Sequence, residues 1–226
     1  MKYFPVNLDI SGRSCVVIGG GKVAARKVDT LLACGGMVRL ISPELTPELR
    51  KLEKTGQVEW LKRQYRRGDL AEAFLVIAAT DDEAVQVEVF SEAEQNGQLI
   101  NVADVPQRCN FILPAIVKRG DLTISVSTAG KSPALARQLR QNIENLIGPE
   151  YGILAEIMGV LRPEVLEKGR SHQENKKIFA ALLDKSFPAW IRKRDWLMIE
   201  NHLVDVLGNN ISPECLNTLK KMLNCH

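Results

Sequence analysis

The chain has 226 residues, 45% of them hydrophobic and 25% charged, with 30 Lys and Arg against 27 Asp and Glu for a net charge of +3. That is the composition of a globular protein of one or two domains, and it excludes a disordered chain or a small disulfide-stapled fold. The charge is too mild to argue for a nucleic-acid partner.

The first hundred residues alternate between short apolar runs and helical patterns. Residues 14–18 (S-C-V-V-I) are a buried strand by length and β-branching. Gly19-Gly20-Gly21 follows, then a helix over 23–34, ended by Gly35-Gly36. Residues 38–41 form a second strand. Thr46-Pro47 reads as an N-cap with proline at the first helical position, and Gly56 closes that helix. Residues 58–61 are a weaker strand and 74–79 (F-L-V-I-A-A) a strong one. Asp81-Asp82 caps a helix running to about Asn96-Gly97, and 99–102 is a further strand, stopped by Asp104 and Pro106. Such alternation predicts a parallel sheet with helices on both faces.

Beyond Asp104 the pattern changes. Strands over 111–117 and 122–127 flank Lys118-Arg119-Gly120-Asp121, a hairpin turn. Ser132-Pro133 starts a helix through about Leu146. From Pro149 onward the pattern is helical, broken near Gly169, Pro188 and Gly208. The predicted fold is therefore α/β: a Rossmann-like parallel-sheet domain (1–112), a β-hairpin–helix segment (113–148) and a helical C-terminal domain (149–226). No apolar run approaches the ~20 residues of a membrane span, and residues 1–9 lack the basic-then-apolar layout of a signal peptide. The five cysteines are scattered without a C-x-x-C pair, which fits a reducing compartment. The expected location is the cytoplasm, with no membrane partner. Cys215, Cys225 and His226 match no usual metal-site spacing.

Between the first strand and helix stands Gly19-x-Gly21-x-x-Ala24. The first glycine permits a tight turn, the second lets backbone approach a pyrophosphate, and the small third residue lets helix and strand pack closely. The N–H groups at the helix start, from Lys22 and Val23, then face the phosphates. The second strand ends in Ser42-Pro43-Glu44. Ser42 holds the position where most NAD sites carry an acid for the ribose, and Glu44 is either that ligand or a solvated loop acid. No Arg directly follows the strand tip, so NAD is favoured over NADP. Thr80, at the tip of the fourth strand, would border the cofactor, while Asp81 suits a helix cap.

Residues 105–143 hold Arg108, Lys118, Arg119, Lys131, Arg137 and Arg140 against one acid, Asp121. This excess suits a polyanionic ligand, and equally an ordinary basic helix surface or another anion. Asp104 by itself reads as a turn residue before Val105-Pro106.

Taken together, these blocks resemble the precorrin-2 dehydrogenase family, including the N-terminal module of siroheme synthases. The resemblance rests on Tyr3-Phe4-Pro5-Val6-Asn7-Leu8, on V-I-G-G-G-K-V-A-A-R-K from Val17 to Lys27, and on Ala78-Ala79-Thr80-Asp81-Asp82. It continues through Asn101-Val102-Ala103-Asp104, Phe111-Ile112-Leu113-Pro114-Ala115, Ser125-Val126-Ser127-Thr128 and Gly130-Lys131-Ser132-Pro133-Ala134-Leu135-Ala136. It covers about residues 1–150 and fades in the C-terminal helices. It implies NAD-dependent oxidation of precorrin-2 to sirohydrochlorin, with Asp104 as catalytic base. Arg108, Lys131, Ser132 and Arg137 would then bind the polycarboxylate tetrapyrrole. It further implies a homodimer built through the hairpin–helix segment. Some members also insert iron or cobalt into sirohydrochlorin; no clustered His/Cys metal site is present, so chelation here would rely on Asp104 and the ring nitrogens. Thr128 stands where some members carry a phosphorylatable serine. His172 and His202 fall outside the matched blocks and suit surface or interface positions. A non-catalytic NAD-sensing module is the alternative from another class; it would need neither the basic segment nor Asp104.

Overall fold

In the computed structural model, residues 3–166, 169–208 and 211–225 are described, and the chain divides into two units, residues 1–113 and 114–226. In the first, β1 (Ser14–Ile18), β2 (Met37–Ile41), β3 (Val58–Leu61), β4 (Leu75–Ala78) and β5 (Leu99–Val102) form one sheet ordered β3-β2-β1-β4-β5, every pair parallel. The crossovers include helices α1 (Lys22–Ala33), α2 (Pro47–Lys54) and α3 (Glu83–Gln95). β1 and β4 are covered on both faces, which is why they read as continuous apolar runs rather than alternating ones. Alternate residues still sort to opposite faces. Cys15, Val17, Leu75 and Ile77 pack with Ala24, Val28 and Leu31 of α1 and Leu49 of α2; Val16, Ile18, Val76 and Ala78 pack with Val89 and Ala93 of α3.

The loop before β4 is fastened to α3 by one buried carboxylate. Glu92 accepts from the Tyr65 hydroxyl (2.5 Å) and from the N–H groups of Gly68 (2.8 Å) and Leu70 (3.0 Å). Burial, together with this bond to Glu92, keeps the Tyr65 hydroxyl protonated well beyond its ordinary range. Replacing Glu92 by alanine strands these donors in the interior. It is expected to cost on the order of 3 kcal/mol, read as a lower urea midpoint; an unchanged midpoint would mean that water replaces the carboxylate freely.

In the same loop Arg63 donates two bonds of 2.7 Å to Asp69, which also accepts from the Arg66 N–H at 2.8 Å. The Arg63 bonds, opposed by burial and helped by the Arg66 N–H, hold the Asp69 carboxyl below its usual 3.8. A depressed carboxylate stabilises the fold above its unfolded pKa, and that contribution disappears as pH falls through the folded one. Acid unfolding below about pH 4 is therefore expected to be less steep in Asp69→Asn than in the parent. Parallel curves for the two proteins would rule Asp69 out as a source of acid sensitivity.

The second unit opens with an antiparallel hairpin, β6 (Ala115–Arg119) and β7 (Leu122–Val126). Gly120, φ +56°, takes the first turn position, as a type II′ turn requires. Six helices follow among the described residues: α4 (Pro133–Leu146), α5 (Glu150–Leu166), α6 (His172–Leu182), α7 (Phe187–Lys193), α8 (Trp196–Leu207) and α9 (Pro213–Cys225). Residues 113–148 and 149–226 thus fall almost wholly within one unit. The helices from α5 to α9 share a core of Ile157, Leu161, Leu182, Phe187, Ile199, Leu203 and Leu219, so the stretch after residue 185 completes a helical layer.

The boundaries differ from expectation where side chains intervene. The strand predicted from Phe111 starts at Ala115, because Pro114 has no N–H and the Phe111 carbonyl accepts from Asn101 Nδ2 at 3.1 Å. Ser127 leaves β7, its hydroxyl accepting from the Ala129 N–H. The break expected near Pro188 lies just before it, between α6 and α7, and Pro188 itself stands in the first turn of α7, where its missing N–H costs nothing. No helix among the described residues is long and apolar enough to cross a membrane. The Cys225 side chain and His226 lie outside the described residues.

Candidate active site

The strand order reverses between β1 and β4, and the crevice at the carboxyl ends of strands flanking such a switch point is where open α/β sheets take ligands. The three glycines of the β1–α1 turn divide the work there. Gly19 has φ +118°, and a Cβ would lie 2.2 Å from the Ala79 carbonyl oxygen. A Cβ on Gly20 would lie 1.9 Å from the Glu44 carbonyl oxygen; its own carbonyl accepts from the Thr46 N–H at 2.9 Å. Around Gly21 there is open space. The first two glycines therefore let the β4 and β2 tips close on the turn, and the third faces outward.

Gly21 is also the N-cap of α1, with no side chain capping it and no acid in the first turn. The first helical bond runs from Ala25 N–H to the Gly21 carbonyl, which leaves the N–H groups of Lys22, Val23 and Ala24 without helical acceptors. An uncapped, glycine-lined helix start fits a dinucleotide pyrophosphate.

At the β2 tip, Ser42 is buried and its hydroxyl donates to the Glu44 carbonyl at 2.7 Å, while Trp60 Nε1 donates to its carbonyl at 2.9 Å. Ser42 thus spends its hydroxyl shaping the loop, and Pro43 and Glu44 are exposed beside the crevice. At the β4 tip, Thr80 Oγ1 accepts from the Asp82 N–H at 3.2 Å, and the Thr80 carbonyl accepts from Gln86 Nε2 at 2.7 Å. The cap of α3 is Asp82, which accepts from Val85 N–H, rather than Asp81.

The β5 tip carries Asp104. Ala103 N–H donates to the Ala78 carbonyl (2.8 Å) and Val105 N–H to the Val102 carbonyl (3.3 Å), so the chain turns sharply and Asp104 is exposed at φ +61°. Left-handed backbone at a non-glycine residue is strained and concentrates at functional positions. The turn is locked from behind by Cys109. Its thiol accepts from Val102 N–H (3.2 Å) and lies 3.3 Å from the carbonyls of both Val102 and Val105. Asn110 clasps the start of β5, accepting from Ile100 N–H and donating to the carbonyl of Gln98 just before the strand. Burial raises the Cys109 pKa, against the Val102 N–H and Lys27, which keeps it a thiol and a donor.

Arg108 is turned toward α3, 3.2 Å from a Glu83 carboxylate oxygen and 3.4 Å from Gln86 Oε1. It ties the segment after Asp104 to the residue that holds Thr80. Gly19, Gly21, Lys22, Val23, Ser42, Pro43, Glu44, Thr80 and Asp104 all stand at the carboxyl ends of parallel strands or the helix start beside them. The sequence reading does not single out Gly20, Gln86 and Cys109 for the roles they take here. Only the run of three glycines hinted at the first.

Lys131, Ser132 and Arg137 belong to the second unit. Ala129 and Gly130 both have positive φ, and Lys131 N–H closes the turn onto the Thr128 carbonyl at 3.0 Å. Thr128 Oγ1 accepts from Ser132 N–H and donates to the Ser132 carbonyl; Ser132 Oγ caps α4 through Leu135 N–H. Both hydroxyls thus brace the loop, which leaves Lys131 and Arg137 as exposed cations. Among the described residues, no cluster of three or more His, Cys, Asp or Glu side chains could hold a metal ion. His202, rather than lying on the surface, is half-buried against Phe187 and Trp190.

Residues 6–115 match the NAD_binding_7 family, described as "Putative NAD(P)-binding", and residues 119–146 match the sirohaem biosynthesis protein central family. A siroheme synthase 1 from Serratia proteamaculans is 42% identical over 79% of this chain and 38% of its own length. A siroheme synthase from Zymomonas mobilis is 37% identical over 92% of this chain and 44% of its own. The chain therefore spans about two fifths of the length of these relatives. A solved structure of SirC, a precorrin-2 dehydrogenase, superposes with a TM-score of 0.74 over 99% of this chain and 100% of that one; at 22% identity the likeness is one of fold. With an NAD(P)-binding sheet and the sirohaem central segment in this order, the chain belongs to the family of siroheme synthase N-terminal modules.

Proposed function

We propose that this protein is a precorrin-2 dehydrogenase, oxidising precorrin-2 to sirohydrochlorin with NAD. The observation that carries the reading is the strained, exposed Asp104 at the β5 tip, next to a glycine cradle and uncapped helix start at the β1–β4 switch point. A bound nicotinamide supplies the hydride acceptor. The chain supplies the rest. The first turn of α1 receives the pyrophosphate, Thr80 borders the crevice, and the Asp104 carboxylate takes the proton lost as a C–H bond of the substrate is oxidised. NAD is favoured over its 2′-phosphate because Glu44 stands exposed at the β2 tip for the ribose hydroxyls. Arg39, the cation within that strand, is already held by Glu59 at 2.7 Å. Lys131 and Arg137 suit the carboxylates of the tetrapyrrole.

A second copy of the chain is the proposed partner. A two-stranded sheet is marginal alone, and β6 and β7 leave both outer edges unpaired among the described residues. Ile116 on the hairpin and Leu135, Leu139 and Leu146 along α4 are apolar and 40–75% exposed. An apolar surface next to open strand edges is what a symmetric partner covers.

The test is anaerobic turnover of enzymatically made precorrin-2 with NAD, followed by absorbance. Stoichiometric sirohydrochlorin and NADH are expected. A folded protein that binds dinucleotide yet turns over with neither NAD nor NADP would overturn the assignment in favour of a sensing module. Adding cobalt or ferrous iron to the product solution tests chelation in the same cuvette.

A further inference from the structure

Lys27 is a charged residue at this crevice that the proposed chemistry leaves without a task. It flanks the buried stripe Ala24–Val28–Leu31 of α1 and is itself half-buried. It lies ~7.5 Å along the axis from Lys22 (five residues at 1.5 Å each), a turn and more beyond the N–H groups that suit a phosphate. Among the described residues, no hydrogen-bond or ion-pair partner engages its ammonium. The groups that act on it are Arg26 on its own helix and, from the β5 side, Asp104 and Cys109. Burial, aided by Arg26, holds its pKa below the ordinary lysine range, against Asp104 and Cys109. Arg108, the other cation on that side, is spent on Glu83.

Two physical points follow. A half-buried ammonium without a hydrogen-bonded counter-ion is a cost to the fold, which an arriving anion removes. Asp104 does not need Lys27 to hold its position, because the bonds of Ala103 and Val105 and the Cys109 thiol fix its turn from the backbone. A polycarboxylate brought against Asp104 is repelled by that carboxylate unless a cation stands beside it.

We propose that Lys27 is a substrate-binding residue: its ammonium takes one carboxylate of the tetrapyrrole and so seats the ring with its reacting carbon beside Asp104. This rests on the functional reading above and adds a specificity-determining contact to it.

The experiment measures the affinity of a stable polycarboxylate porphyrin, uroporphyrin, by fluorescence in the parent, Lys27→Met and Lys27→Arg, with NADH affinity and Tm measured in parallel. Lys27→Met is expected to weaken uroporphyrin about tenfold, as loss of one charge-assisted bond does, with NADH affinity unchanged and Tm equal to the parent's or higher, since an unpaired half-buried charge is removed. Lys27→Arg is expected to stay within about threefold of the parent. In turnover, the KM for precorrin-2 rises in Lys27→Met more than kcat falls. Unchanged porphyrin affinity in Lys27→Met overturns the proposal, and so does a loss that falls on NADH instead, which would assign Lys27 to the cofactor. Should Lys27→Met not fold, Lys27→Gln enters the same assay with the same two outcomes. A parent that neither binds uroporphyrin nor oxidises precorrin-2 defeats the functional reading itself, a result distinct from a parent that does both and a variant that matches it.

Discussion

Replacing Asp104 by alanine is expected to lower kcat for precorrin-2 oxidation by about two to four orders of magnitude, the usual contribution of a positioned general base. Dinucleotide affinity should not change, because the cradle at Gly19–Gly21 is built by the β1, β2 and β4 tips and not by the β5 turn. Stability should fall slightly, because alanine keeps the Cβ but lacks the side chain that lets aspartate tolerate φ +61°. The left-handed backbone at Asp104 stores on the order of 1 kcal/mol, and Asp104→Gly, which removes the Cβ, should raise Tm while abolishing activity as completely. Asp104→Asn is the sharper control. Asparagine accepts the left-handed conformation as readily as aspartate, so the turn survives and the proton acceptor does not. An Asn variant with parental kcat would end the case for Asp104 as the base.

The second large effect separates the glycines. Gly20→Ala sets a methyl group 1.9 Å from the Glu44 carbonyl oxygen and 2.8 Å from Ser42 Oγ. The loop over 42–46 must move, which breaks the Ser42-to-Glu44 bond and displaces the acid proposed for the ribose. Overpacking of this kind costs about 1–3 kcal/mol, and NAD affinity is expected to fall at least about tenfold, the equivalent of one such lost interaction. Gly21→Ala has room for its methyl and φ −87°, so Tm should be unchanged and the loss should fall on NAD affinity alone. Thermal melts with and without NAD read both quantities. A Gly20→Ala protein that melts and binds like the parent would show that the β2 loop yields without consequence.

Much of this could be read from the chain. A parallel α/β sheet follows from runs such as V-V-I and L-V-I-A, which are apolar because both their faces are covered. Local signals for chain reversal are equally plain: Gly120 needs positive φ, and Ser132-Pro133 caps and opens a helix. The proposal of Asp104 as the base draws on the family resemblance, since an aspartate before Val-Pro carries no sign of its own of a catalytic role.

Contacts between residues distant in sequence were decided by the tertiary structure. Whether Gly20 or Gly21 is the crowded glycine depends on where the Glu44 carbonyl comes to rest, twenty-four residues later. Arg108 reads as one more cation of a basic stretch until α3 brings Glu83 and Gln86 against it. Cys109 is an isolated cysteine until the chain folds back and sets its sulfur on the Val102–Val105 turn. Lys27 is one basic residue among several on α1 until packing half-buries it within electrostatic reach of Asp104. Periodicity and turn chemistry act over a few residues and are written in the sequence; hydrogen bonding and desolvation at the site act between segments that meet when the sheet assembles.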